Sequence, residues 1–335
     1  SWASADPTGL VDVRSFEYAD ELLDLAGVSR EQLPALAAPG SVIGGVTEAA
    51  AAATGLPAGT AVVAGAGDGQ SAGLGAAVCA SGVAYFNLGT AVTLGVHADR
   101  YMTGPAYRSM ASPIAGRWTL EAALASGVRS LDWFRERILG DDSEAALARL
   151  EAEAAEVPAG ADGVLFLPYL IRAEAPHWDP DAKGAWVGLR EHHELPHLYR
   201  AVLEGITSEQ LLVLSMIEAD TGVRAERLRL MGGGAGSDLW VQLIADVFER
   251  PVEVTGHTEA TALGAAILAA AATGINETWD VVATAERMSQ GWREVLPRDG
   301  DRRRYRSMAA TYRQLYPALA PIFGRLADEA SDPTS

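Results

Sequence analysis

Three times in this chain an apolar run with strand character ends in a glycine-rich turn. Residues 61–65 (Ala-Val-Val-Ala-Gly) lead into Gly67-Asp68-Gly69-Gln70 and then a glycine- and alanine-rich helix to about Val78. Residues 83–87 and 91–97 read as two strands joined at Leu88-Gly89-Thr90, a hairpin with glycine at its tip. Residues 227–231 run into Gly232-Gly233-Gly234-Ala235-Gly236-Ser237, ahead of a helix over 239–248. A backbone that wraps a phosphate or lies flat under a nucleobase cannot carry a Cβ at the contact. The N–H groups freed at such turns, or at a following helix start, point toward an anion. Placement after strands restricts the possible folds more than glycine content does.

The remaining pattern alternates strands and helices, with some consecutive strands, and indicates an α/β class. Helices are expected over 17–26, 49–54, 130–139, 142–154, 195–219 and 258–272. Further strands are expected over 118–121, 164–167 and 252–254, with a loop rich in Pro, Asp and Gly over 168–188. The tail from 329 to 335 is expected to fray. Composition removes several function classes. With 26 Lys and Arg against 44 Asp and Glu, the net charge of −18 gives no basic footprint for nucleic acid. ATP stays open, because triphosphate sites rely on backbone N–H groups and Mg²⁺ more than on bulk charge. The longest apolar stretch, 260–272, is broken by Thr261 and Gly264 and is too short for a bilayer. No leader marks the chain for export, and the single Cys79 cannot form an internal disulfide, so a cytoplasmic protein without a membrane partner is expected.

Asp68 follows an apolar strand, at the end where catalytic groups gather in open α/β sheets. A carboxylate there can accept the proton of an alcohol attacking a phosphoryl group. It can also simply cap a helix beginning near Ser71. Leu88-Gly89-Thr90 offers two backbone N–H donors and a hydroxyl to a phosphate, or is a plain turn. Gly232-Gly233-Gly234 costs roughly 1 kcal/mol of backbone entropy per glycine relative to alanine, which favours a ligand surface over a connecting loop. It is neither a dinucleotide fingerprint nor a Walker A loop. His192, His193 and His197 lack metal-ligand spacing and read as solvent-facing, so no metal-binding residue is assigned.

Six blocks together resemble the FGGY carbohydrate kinases, most closely the xylulokinase-like branch. They are TGLPAGTAVVAGAGDGQSAGLGA (54–76), NLGTAVTLG (87–95), GVLFLPYLIRAEAPHWDPDAKGAWVGL (163–189), HLYRAVLEGI (197–206), MGGGAGSDLWVQLIADVFERPVEV (231–254) and EATALGAAILAAAATG (259–274). The resemblance implies an actin-like (ribonuclease H-like) ATPase lobe with a mixed sheet and flanking helices. It makes 1–78 the last part of the sugar-binding lobe and 79–328 the ATP-binding lobe. It assigns Asp68 as catalytic base, and Gly89, Thr90, Gly127, Gly233, Gly234 and Ser237 to the nucleotide. ATP and Mg²⁺ are the implied cofactors and a ketopentose such as xylulose or a polyol the implied substrate; an incomplete chain would also expose an apolar face where the missing lobe packs, so a homodimer is expected. Two departures stand out. No Asp-x-Gly-Thr/Ser string is present, so an incomplete chain, inactive alone, is expected, with a non-catalytic nucleotide-binding or interaction module as the alternative. Gly69 stands where many xylulokinases have Asn, which leaves the sugar open.

Overall fold

The structure, a computed structural model, describes residues 1–141, 143–256, 259–274 and 280–331. Among these, seven strands form one mixed sheet: β1 Val83–Leu88, β2 Val92–Ala98, β3 Arg108–Ala111, β4 Trp118–Leu124, β5 Arg227–Met231, β6 Val252–Val254 and β7 Arg293–Val295. Their order is β7-β6-β5-β1-β2-β4-β3. The parallel centre is β6-β5-β1, and the pairs on either side are antiparallel. Parallel pairing at β5 and β1 requires long crossovers, so β1 and β5 end side by side although about 140 residues separate them. Their carboxyl ends carry two of the glycine-rich turns.

Alternation along the strands sends Ala84, Phe86, Leu88, Leu94, Leu120, Leu124, Leu228 and Leu230 into one large core. Helix α3 (Leu195–Thr221), α4 (Asp238–Phe248) and α6 (Arg302–Ser331) cover that face. Gly205 of α3 lies where a Cβ would stand 2.3 Å from the Phe166 carbonyl oxygen, so this helix packs almost backbone to backbone on the strand Leu165–Leu167. The opposite face carries a polar row in register across six strands: Glu253, Arg229, Tyr85, Gly95, Glu121 and Arg108. Over this row lies helix α1 (Asp68–Gly75), clamped in turn by α5 (Ala260–Ala272). A Cβ on Gly75 would fall 2.0 Å from the Ala260 oxygen, and one on Gly264 1.9 Å from the Ser71 oxygen. Small residues at both crossings allow this approach.

The first 67 residues form two small two-stranded sheets (Val11–Asp12 with Glu17–Tyr18, and Val42–Gly45 with Ala61–Val63) and short helices. They dock on the far sheet edge through polar hooks. The Ala111 N–H donates to Asp6 Oδ2 at 2.7 Å, the Trp118 indole donates to the Val13 carbonyl at 2.7 Å, and Trp2, Phe16 and Trp118 stack in succession.

Several boundaries differ from the sequence reading. Glu17 and Tyr18 form a strand, and the helix begins at Asp20, because Tyr18 pairs with Val11. The helix expected over 130–139 is α2 (Gly127–Trp133), which continues as a π-helix over Phe134–Leu139. The helix expected over 142–154 runs Glu144–Glu156 and buries Ala146, Leu150 and Ala154. The expected starts of two helices, Asp142 and Thr258, lie outside the described residues. The last helix continues through Ser331 instead of fraying at 329, and 332–335 lie outside the described residues. No described helix is long and apolar enough to cross a membrane.

Candidate active site

The turn after β1 is built as a cap. The Gly89 carbonyl accepts from the Val128 N–H at 3.3 Å and the Thr90 carbonyl from the Arg129 N–H at 3.1 Å, both donors in the first turn of α2. Gly127 opens that helix against β2, where a Cβ would lie 2.4 Å from the Val92 nitrogen. The triple-glycine loop presses on the same hairpin. Gly232 has φ +84°, and its missing Cβ would meet Asn87 Oδ1 at 2.6 Å; that of Gly234 would meet the Trp240 ring at 2.6 Å and Leu88 Cβ at 2.9 Å. Gly233 differs from both: nothing lies within 4 Å, and it is exposed. Gly232 and Gly234 are therefore glycines for packing, while Gly233 presents bare backbone to solvent. Ser237 spends its hydroxyl on capping α4, accepting from the Trp240 N–H at 3.2 Å. Thr90 is exposed beside this surface. The six residues expected at the nucleotide thus share one end of β1 and β5, with Ser237 acting through the helix start.

Asp68 is the first residue of α1, and Gly67 takes the capping position. The expectation of a cap for a helix starting near Ser71 is corrected by this: the helix starts three residues earlier. The Asp68 carboxylate is exposed, with the Gly69 N–H on its Oδ1 at 2.8 Å. The preceding loop is tied down by Ala3, whose carbonyl accepts from the Gly67 N–H (3.2 Å) and from Gln70 Nε2 (3.1 Å).

Beneath Asp68 lies a group that sequence reasoning missed. Glu121 is buried on β4, with the Tyr85 hydroxyl donating to Oε2 at 2.6 Å and Arg108 Nη2 donating to Oε1 at 2.9 Å. Burial raises the Glu121 carboxyl above the usual range, and the Tyr85 and Arg108 donors partly offset that. Burial likewise pushes the Tyr85 phenol far up, so it remains a donor. Gly69 makes room for this carboxylate: a Cβ there would stand 2.8 Å from Glu121 Oε2. Arg108 in turn lines a cavity of about 400 Å³ with Thr90, Ala91, Ala123, Ala125, Arg172, Glu174 and Trp178. On β2, alongside Ala123, the Thr93 hydroxyl is buried without a hydrogen-bond partner. No local motif could have revealed Arg108 and Glu121, since they meet only through strand register.

Among the described residues, the one group with a metal-like arrangement is Asp162, His192 and His193. Its chemistry points elsewhere. The Arg190 N–H donates to His193 Nδ1 at 2.9 Å, so the neutral ring carries its proton on Nε2, which faces Asp162 Oδ2 at 4.0 Å. A ring so held turns an N–H rather than a lone pair toward that oxygen, too far for a hydrogen bond, and its side chain is buried instead of facing solvent as expected. The nitrogen within reach of Asp162 Oδ2 is His192 Nε2, at 3.0 Å.

Comparison with known proteins bears on both halves of this arrangement. Residues 2–75 match the model of the FGGY family of carbohydrate kinases, N-terminal domain, and residues 84–273 that of the C-terminal domain. A gluconokinase of Bacillus licheniformis is 29% identical over 98% of this chain and 65% of its own length. A xylulose kinase of Escherichia coli K12 is 30% identical over 96% of this chain and 65% of its own. A crystal structure of xylulose kinase from Rhodospirillum rubrum superposes with TM-score 0.87 at 30% identity, over 97% of this chain and 65% of that one. The chain thus spans about two thirds of the length of these relatives. The expectation that it is inactive alone gains no support from these matches.

Proposed function

We propose that this chain, which belongs to the FGGY family of carbohydrate kinases, transfers the γ-phosphoryl group of ATP to a hydroxyl of a small sugar or polyol. Its mixed sheet with flanking helices is the actin-like fold of the sugar kinases. The observation that carries the proposal is the convergence of an exposed hairpin hydroxyl (Thr90), an uncovered glycine backbone (Gly233) and the start of α2 at one end of the sheet. In this reading the bare backbone of Gly233 lies under adenosine, Gly234 serves the same loop by letting it pack close on Trp240 and Leu88, and Gly89 and Thr90 direct N–H and hydroxyl donors at the phosphates. Mg²⁺ would come with the phosphates and shield their charge, keeping most of its waters. Asp68 accepts the proton of the attacking hydroxyl late in transfer, and the rest of catalysis is positioning. Residues 1–78 serve the acceptor and 79–328 the nucleotide, with Asp68 at their junction. The relatives named gluconokinase and xylulose kinase support a small polyhydroxylated acceptor and leave xylulose as one choice among several. A cytoplasmic location, supported by the buried free Cys79, belongs to the same reading.

A coupled ADP-release assay of this chain, with ATP and Mg²⁺ against ketoses, polyols and sugar acids, tests the proposal. Acceptor-dependent ADP formation is expected. ATP binding without turnover on any acceptor would replace it with a nucleotide-binding module.

A further inference from the structure

Two ion pairs border the cavity beside Thr90, and both are turned the same way. Arg108 is 55% exposed while its partner Glu121 is 4% exposed; Arg172 is 52% exposed while Glu174 is 17% exposed. In each pair the acid points inward and the cation outward. In a chain of net charge −18, this cavity therefore shows guanidinium groups to solvent. Among the described residues, Arg108 donates one hydrogen bond, through Nη2 to Glu121, although a guanidinium carries five N–H donors. Glu121 is itself fixed by the Tyr85 hydroxyl, and Tyr85 is seated where Gly73 and Gly95 carry no Cβ. The fork is thus aimed from a rigid base. The same cavity has an aromatic wall, the half-exposed Trp178, whose indole N–H is held by the Pro105 carbonyl at 2.7 Å. A ring face suits the C–H surface of a sugar, and a guanidinium fork suits a carboxylate. Gly69 gives this its place beside the base: a side chain there would displace Glu121 and with it Arg108.

We infer that the acceptor is an anionic sugar, an aldonate, whose carboxylate is held by Arg108 and Arg172 while its carbon chain lies along Trp178. This rests on the kinase reading above. The step balances as follows: a hydroxyl oxygen of the aldonate bonds to the γ-phosphorus of ATP, the bond from that phosphorus to the β,γ-bridging oxygen breaks, ADP departs, and the hydroxyl proton passes to Asp68.

The test compares D-gluconate with D-glucitol, which has the same carbon skeleton without the carboxylate, by calorimetric binding and by ADP release. Gluconate is expected to bind about ten- to a hundredfold more tightly, the range of a charge-assisted hydrogen-bonded pair. Arg172→Gln, at an exposed position, should lower that preference. Arg108→Gln combined with Glu121→Gln, which removes both charges together and leaves no buried acid unpaired, should abolish it. Equal binding of the two compounds, or a preference that survives the double variant in folded protein, overturns the inference. Turnover of neutral sugars with no gluconate preference would overturn it and leave the kinase reading intact. Gluconate binding that depends on Arg108, with no ADP release on any acceptor, would support the site and remove the kinase.

Discussion

The first 67 residues and the seven-stranded body are held together by different means. In the body, a main core runs from Ala84 to Phe323, and two smaller clusters, around Ala72 and Ala260 and around Leu74 and Ile267, lie under α1 and α5. Before Asp68, the buried hydrophobic side chains are Ala3, Val11, Leu23 and Ala64, while Leu25, Val42, Ile43, Leu56 and Val62 are exposed. The body is fixed by volume, and the leading segment by single hooks at Asp6, Val13 and Ala3. Hooks fix orientation at a few points and leave local opening cheap, whereas a filled core opens only as a whole. Asp68 stands where the two regimes meet.

The sharpest way to break this comparison is at that junction. Asp68→Asn should lower kcat by about 10²–10⁴-fold, the usual loss of a general base, with calorimetric ATP affinity nearly unchanged. Near-normal turnover would reduce Asp68 to a helix-start residue. Next is Gly264→Val, which drives side-chain atoms into the Ser71 carbonyl. Overpacking of about 1–3 kcal/mol or more is expected by denaturant titration, together with earlier hydrogen exchange in α1 than in β1. Uniform loss across both would show that the junction is not separable from the body.

The body also carries a pH signature of its own. Glu209 is fully buried, and burial raises its carboxyl to about 7, although the Tyr169 and Tyr312 hydroxyls on Oε2 pull the other way. An acid with a raised folded-state value contributes stability that is full below its unfolded value of 4.5 and lost as pH climbs through about 7. Glu209→Gln should flatten the stability profile between those limits, measured as Tm against pH; an unchanged slope would place the titration elsewhere. The smallest effect belongs to the leading segment. Ile43→Thr, at a 59% exposed position, should shift stability by less than about 0.5 kcal/mol. A loss above 2 kcal/mol would mean that this surface is covered in solution.

What could be read from the sequence was local. A strand running into Gly67-Asp68, the hairpin at Gly89, and three glycines before Ser237 all announce themselves within a few residues. Even there the roles were uneven, since Gly232 and Gly234 are packing glycines and Ser237 is a cap. The row Tyr85, Glu121, Arg108 depends on register between strands far apart in sequence, which no window contains. Helix α6 was illegible for another reason: Pro317 and Pro321 lie inside it, and its start is a run of arginines. Its buried Tyr305 and Tyr312 bind carboxylates of α3, so tertiary hydrogen bonds set its course.

The glycine crossings of α1 and α5 have a mechanical consequence. Two helices that touch carbonyl to Cα have no side chains between them to tilt or slide, so they move as a single lever. Asp68, at the tip of that lever, rides with the sheet and the hairpin at Gly89. Any rocking of the leading segment against that lever must bend the chain near Gly65, where a Cβ would meet nothing, and must also break the bonds from the Gly67 N–H and Gln70 Nε2 to the Ala3 carbonyl. Distances between spin labels would show this as a spread between 43 and 272 and a single value between 77 and 272. The Asp68 carboxylate would keep its aim while the leading segment swings.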